Sequence, residues 1–242
     1  MDIDIQNCMD AKDYNDLWQV WDEMKRYGPM SRHIRRNILS LVRPLQFDTV
    51  LDVGCGQGSL LAEMRREFPR ARLYGADFST SAIRMARWQV PGGTYLVFDL
   101  ERGNLNHQFD LVICSEVLEH IPDDRAALRH LAAMTGKYLV ISTVQGRMRR
   151  FETKAVGHVR NYAYGELVGK VEATGLQVRK VVEWGFPFYS PLYRDVLNLT
   201  GGRGTSGSFG PTRRLIANLI YVLFTLNSSR IGDEIFVLAE RK

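Results

Sequence analysis

Carboxylates at the ends of short apolar runs are the first feature of this chain that suggests chemistry. Asp52 lies in Thr49-Val50-Leu51-Asp52-Val53, Asp77 in Tyr74-Gly75-Ala76-Asp77-Phe78, and Asp99 in Val97-Phe98-Asp99-Leu100. A fourth run leads into Ser115-Glu116-Val117-Leu118-Glu119-His120. The turn Gly54-Cys55-Gly56-Gln57-Gly58 follows Asp52, and its glycines let a backbone approach a ligand beside the unpaired N–H groups of a helix start. An acid two residues before that turn repels a pyrophosphate and attracts a cation. The dinucleotide pattern G-x-G-x-x-G/A also fails, because Ser59 stands at its last position. A dehydrogenase is therefore disfavoured.

The elements that must hold these residues alternate. Strands are predicted at 49–53, 72–76, 94–98, 109–113, 138–142, 176–183 and 234–239. Helices are predicted at 59–67, 80–89, 123–134, 164–173 and 212–226. Two further helices precede them: one carries Leu17, Val20, Trp21 and Met24 until Gly28-Pro29 breaks it, and one starts at Ser31 as N-cap and ends at Pro44. Strands separated by helices imply parallel pairing with right-handed crossovers, hence an open α/β sheet with helices on both faces. Aspartates at consecutive strand ends then share the edge where such sheets bind ligands.

The chain has 242 residues, enough for one α/β domain with an insertion. It divides into an N-terminal helical lid (1–46), a cofactor-binding core (47–183), an insertion (184–232) and a final strand (233–242). A net charge of +5 is too small to decide between partners. Cys8, Cys55 and Cys114 form no CxxC pair, which argues against a disulfide framework or zinc site and for a reducing, cytoplasmic setting. The acidic N-terminus does not read as a secretory signal. The apolar stretch 215–226 is shorter than the roughly 20 residues that span a bilayer.

Leu51-Asp52-Val53-Gly54-Cys55-Gly56-Gln57-Gly58 resembles motif I of the class I S-adenosylmethionine-dependent methyltransferases, and the resemblance covers about residues 50–142. It implies a Rossmann-like, doubly wound, seven-stranded sheet, mostly parallel with the last strand antiparallel. It implies S-adenosyl-L-methionine (SAM) as cofactor and S-adenosyl-L-homocysteine (SAH) as product. The cofactor-binding residues it points to are Asp52, Gly54, Cys55, Gly56, Gly58, Asp77, Phe78, Asp99, Leu100 and Ser115. Among these, Asp77 would hold the ribose hydroxyls, Phe78 would pack on adenine, and Asp99 would read the adenine amino group. Singly, each aspartate reads equally well as a turn or helix cap; Cys55 and Cys114 read as packing residues.

Glu116-Val117-Leu118-Glu119-His120 is widespread in small-molecule members of this class. Glu119, His120 and His158 are the catalytic candidates, with His120 as general base; bracing of the pocket is the rival reading. Glu116, Glu119 and His120 also resemble the divalent-metal site of ubiquinone-type and small-RNA methyltransferases, with His158 as a fourth ligand, an alternative not favoured here. Arg160 is a candidate anion binder, or a residue of a solvated loop. Trp18, Trp21, Tyr27, Arg32 and His33 form the candidate lid, with Arg32 facing the cofactor carboxylate.

In the insertion, Phe186, Phe188, Tyr189 and Tyr193 are candidate walls of an apolar acceptor pocket. Arg213 and Arg214 beside an apolar helix suggest peripheral membrane contact through 212–226, against the plainer reading of packing on the sheet or a second subunit. The leading function is O- or N-methylation of a small molecule, in a bacterial glycan or secondary-metabolite pathway. The alternatives are an RNA methyltransferase, disfavoured by scattered basic residues, and a catalytically silent scaffold subunit.

Overall fold

Strands covered on both faces need near-continuous apolar runs, and Val50–Val53, Leu111–Cys114 and Leu139–Ile141 supply them. In the computed structural model, which describes residues 23–202, 207 and 209–242, these runs form the centre of a seven-stranded sheet. The strands are β1 (Thr49–Val53), β2 (Arg72–Asp77), β3 (Thr94–Val97), β4 (Phe109–Ser115), β5 (Thr135–Val144), β6 (Gln177–Trp184) and β7 (Glu234–Glu240). Their spatial order is β3-β2-β1-β4-β5-β7-β6. The pairs from β3 to β5 are parallel, and β7 lies antiparallel between β5 and β6. The expected sheet, with its antiparallel last strand, is present.

The period-two alternation of strand side chains separates two cores. Leu111, Ile113 and Val140 face α1 (Pro29–Val42), α2 (Ser59–Glu67) and α3 (Thr80–Gln89). Val112, Cys114, Leu139 and Ile141 face α4 (Asp124–Met134) and α5 (Glu166–Glu172). The order reverses between β1 and β4, so the crevice at this switch point lies between the Gly54 turn and the loop beginning at Ser115.

Some boundaries differ from the sequence expectation. α1 starts at Pro29 with Gly28 as N-cap, not at Ser31, because proline is pre-organised for a first helical turn whose N–H groups are unpaired anyway. β5 begins at Thr135, directly after α4, so no loop precedes Tyr138. Three short helical pieces had no periodic signal: 118–120, 152–156 and 188–199, the last ending in α6 (Arg194–Leu199). The helix expected around Leu17, with Trp18 and Trp21, and Cys8 lie outside the described residues.

The insertion is anchored by an aromatic cluster. Tyr189, Tyr193, Trp184 and Phe224 pack together as aromatic core, with ring centroids of 5.2 Å for Trp184–Tyr189 and 5.3 Å for Tyr193–Phe224. Phe188 is half-buried against that core and Phe186 is exposed. The helix α7 (Pro211–Phe224) packs mainly on α1, and its Phe224 reaches Trp184 at the end of β6 with ring centroids 5.9 Å apart. Arg32 donates to Asn218 at 2.8 Å and stacks 3.8 Å from the Tyr221 ring centre, so it does not face the strand edge. Only Ala217 and Phe224 of α7 are buried, while Leu215, Ile216, Leu219 and Val222 are exposed. No helix among the described residues is long and apolar enough to cross a membrane.

Candidate active site

The Gly54 turn is built by backbone demands. Gly54, Gly56 and Gly58 have φ of +75°, +54° and +85°, values that cost other residues about 1–2 kcal/mol each. A Cβ on Gly54 would stand 2.2 Å from Cγ2 of Val117, so the loop after β4 rests directly on the turn. The Gly54 and Cys55 N–H groups both donate to the Ala76 carbonyl, at 2.7 and 3.0 Å.

Asp77 ties this turn to α3. Its Oδ2 accepts from the Gly56 N–H and its Oδ1 from the Ser79 N–H, both at 2.9 Å. Burial outweighs these bonds and pushes the carboxyl up to about 6. Asp52 is deeper in the same recess, and burial together with the Asp77 charge pushes it up to about 8. Burial also pushes both the Cys55 and Cys114 thiols up, which keeps them un-ionised and suits packing residues rather than nucleophiles. Phe78 is half-buried and Leu100 buried. Asp99 accepts from the Glu101 N–H at 3.0 Å and pairs with Arg102 at 3.0 Å, a turn-capping arrangement on a partly exposed side chain.

Beyond β4, Ser115 and Ser142 hydroxyls meet at 2.8 Å. Glu116 takes φ +56°, which turns it off the helical turn 118–120. Its charge still reaches Glu119 and His120. Donor atoms of Glu119, His120 and His158 lie within 4.8 Å of one another. The loop carrying His158 is clipped in place because the Val159 and Arg160 N–H groups donate to the Glu119 carbonyl, at 2.9 and 3.3 Å.

Burial shifts Glu119 and His120 in opposite directions. Burial raises Glu119 to about 7, despite a 2.8 Å bond from the Thr143 hydroxyl, and a base poised near neutrality is the efficient one. Burial lowers His120 to about 4 and His158 well below its usual range. His120 Nδ1 bonds the Gly157 carbonyl at 3.2 Å, which assigns the proton to Nδ1 and leaves Nε2 as an acceptor. Arg160 is spent on Asp124 at 2.9 Å and on the Pro122 carbonyl, so it is not a free anion binder.

Two groups escaped the sequence reading. Glu234, the first residue of β7, is fully buried at this edge beside Glu116. Arg194, fully buried, binds Glu152 and Asp233 and fastens the insertion to the loop after β5. Neither stands in a recognisable motif.

A family model described as a methyltransferase domain matches residues 24–181, which is well over half of the chain. The chain belongs to the methyltransferase domain family. Among relatives of this methyltransferase, a ubiquinone biosynthesis O-methyltransferase from Serratia proteamaculans is 28% identical over 187 residues, 67% of this chain and 77% of the relative. A trans-aconitate 2-methyltransferase from Enterobacter is 28% identical over 45% of this chain and 43% of its own. The fold is shared with magnesium protoporphyrin IX methyltransferase from Synechocystis, solved with bound SAM, at TM-score 0.61 and 18% identity over 98% of this chain and 100% of that one. The same protein solved with bound SAH aligns at TM-score 0.62 and 17% identity over 96% of this methyltransferase and 100% of its own chain. The resemblance to class I, SAM-dependent methyltransferases is thereby upheld.

Proposed function

We propose that this methyltransferase moves the methyl group of SAM to a small-molecule acceptor oxygen or nitrogen at the edge formed by β1, β2 and β4. The observation that carries the reading is the joint burial of Asp52 and Asp77 against a turn of left-handed glycines, where a cationic sulfur nucleoside offsets the carboxylate charge. In this reading Asp52, Gly54, Cys55, Gly56, Gly58, Asp77, Phe78, Asp99, Leu100 and Ser115 line the cofactor. Glu119 accepts the acceptor proton as attack proceeds, with His120 and His158 beside it. Positioning of the acceptor in line with the sulfonium supplies much of the rate.

Relatives named for ubiquinone, trans-aconitate and magnesium protoporphyrin favour a small molecule over a nucleic acid. The glycan or secondary-metabolite setting has no counterpart among those names. The convergence of Glu119, His120 and His158 also supports a second reading of these three, as ligands of a divalent ion that would orient the acceptor. The exposed side of α7 supports peripheral contact with an anionic membrane.

Calorimetric titration with SAH, and with NAD as control, tests the cofactor assignment. Wild type is expected to bind SAH and not NAD, and Asp77→Ala to lose most of that affinity. Unchanged SAH affinity in Asp77→Ala refutes the pocket.

A further inference from the structure

Glu234 is a buried carboxylate whose charge has no evident protein purpose. It opens β7, and its Cα partners are Val144 on β5 and Trp184 on β6, so it stands in the interior of the sheet at the ligand-binding edge. Its residue exposure is 0%, and neither carboxylate oxygen meets a hydrogen-bond donor. What faces it is another acid, Glu116, close enough that the two hydrogen-bond when one proton lies between them.

Glu116 is directed there by its left-handed backbone, and its N–H is anchored on the Ser142 carbonyl at 2.9 Å. Glu119 adds a third carboxylate with one oxygen, Oε1, lacking a donor. The nearby cations leave Glu234 without a donor. Arg194 reaches Glu234 electrostatically, but its guanidinium is bound by Glu152 and Asp233. Lys25 acts electrostatically on Glu116 and Glu119 but gives Glu234 no hydrogen bond, while burial keeps His120 and His158 neutral.

Glu116 is half-buried and takes only a long contact from the Ser142 hydroxyl, at 3.5 Å, and leaving Glu234 buried beside it with no donor is costly unless a ligand supplies one. The wall beside the pair narrows the choice of ligand. The Tyr189 side chain is buried within reach of the Glu234 charge and stacks on Trp184 at 5.2 Å. Carboxylates next to aromatic faces suit an organic ammonium, which offers several N–H donors, positive charge and an apolar skeleton. The same surroundings repel an anionic acceptor.

We propose that the Glu116–Glu234 pair is an acceptor-recognition site that selects a substrate bearing a basic nitrogen. This rests on the methyltransferase reading above and names its substrate class. The substrate enters as an ammonium and gives one proton to the pair. The freed nitrogen lone pair then forms the N–C bond to the methyl of SAM, the C–S bond breaks with its electron pair staying on sulfur as SAH, and Glu119 takes a proton from the methylated nitrogen. The proton on the pair leaves to solvent after product release.

The test is calorimetry on the full chain saturated with SAH, using benzylamine, benzyl alcohol and benzoate as probes. Benzylamine is expected to bind about tenfold or more tightly than either of the others, equivalent to about 1.4 kcal/mol. Glu234→Gln is expected to erase that preference with SAH affinity unchanged, and Glu116→Gln serves as the second variant if Glu234→Gln fails to fold. Equal binding of the three probes, no amine binding, or a preference that survives both variants overturns the proposal and leaves the cofactor reading intact. A rise in melting temperature with Mg²⁺ alone that Glu234→Gln removes also overturns it, because the pair then holds a metal. Failure of wild type to bind SAH overturns both readings.

Discussion

Asp52→Asn should stabilise this protein while damaging its function, and the size of the effect follows from one buried group. Asp52 is pushed from an ordinary 3.8 up to about 8, first by burial and then by Asp77. Because the folded value is raised, the stability linked to this proton is complete below the unfolded value and is lost as pH climbs toward 8. At pH 7 the folded chain retains a proton that the unfolded chain has released. The resulting penalty is about 4 kcal/mol at pH 7 and about 2 kcal/mol at pH 5. An asparagine keeps the shape and does not titrate, so urea unfolding of Asp52→Asn should exceed wild type by about those amounts at the two pH values. Saturating SAM should narrow the gap at pH 7, because in wild type the cationic cofactor makes the ionised carboxylate favourable. A variant no more stable than wild type, or a gap that does not change with pH, would refute the argument that Asp52 is held at functional cost.

Other outcomes follow from the same geometry. Glu119→Gln should lower turnover by about 10²-fold or more, leave SAH affinity unchanged and remove the rise in rate with pH near 7; an unaltered pH profile would take Glu119 out of catalysis. Chelator treatment should abolish turnover, with Mg²⁺ restoring it, if Glu119, His120 and His158 hold an ion, and should have no effect if they act alone. Arg194→Ala removes the buried guanidinium from Glu152 and Asp233, so it should cost about 3 kcal/mol in urea unfolding; a loss below about 1 kcal/mol would show the network to be weakly coupled to folding. Leu219→Asp, on the exposed side of α7, should abolish co-sedimentation with phosphatidylglycerol vesicles; failure of wild type to sediment would remove the membrane reading.

The core of the fold was legible because its signals are local. The apolar run Thr49–Val53 and the helix Ser59–Glu67 fall where period and turn chemistry put them. Asp52, Asp77 and the Gly54 turn could be assembled from sequence because a parallel sheet brings consecutive strand tips to one edge. The parts that were not legible depend on contacts between distant segments. Glu234 is 118 positions from Glu116, and only the insertion of β7 between β5 and β6 brings its charge to the site. The piece 188–199 holds its shape through Arg194, Asp233 and Ser190, not through an amphipathic repeat. Glu116 stays within electrostatic reach of Glu119 and His120, as their spacing suggests, but the positive φ at Glu116 is a backbone feature that residue spacing does not encode.

A crystal structure of the full chain with SAH tests the account most directly. The ribose hydroxyls should lie within hydrogen-bonding distance of Asp77, the adenine edge near Asp99, and the sulfur toward Glu116 and Glu119. Density for the nucleoside elsewhere on the molecule, or an intact Asp77–Gly56 contact with no ligand beside it at saturating SAH, would contradict the assignment of this strand edge as the active site.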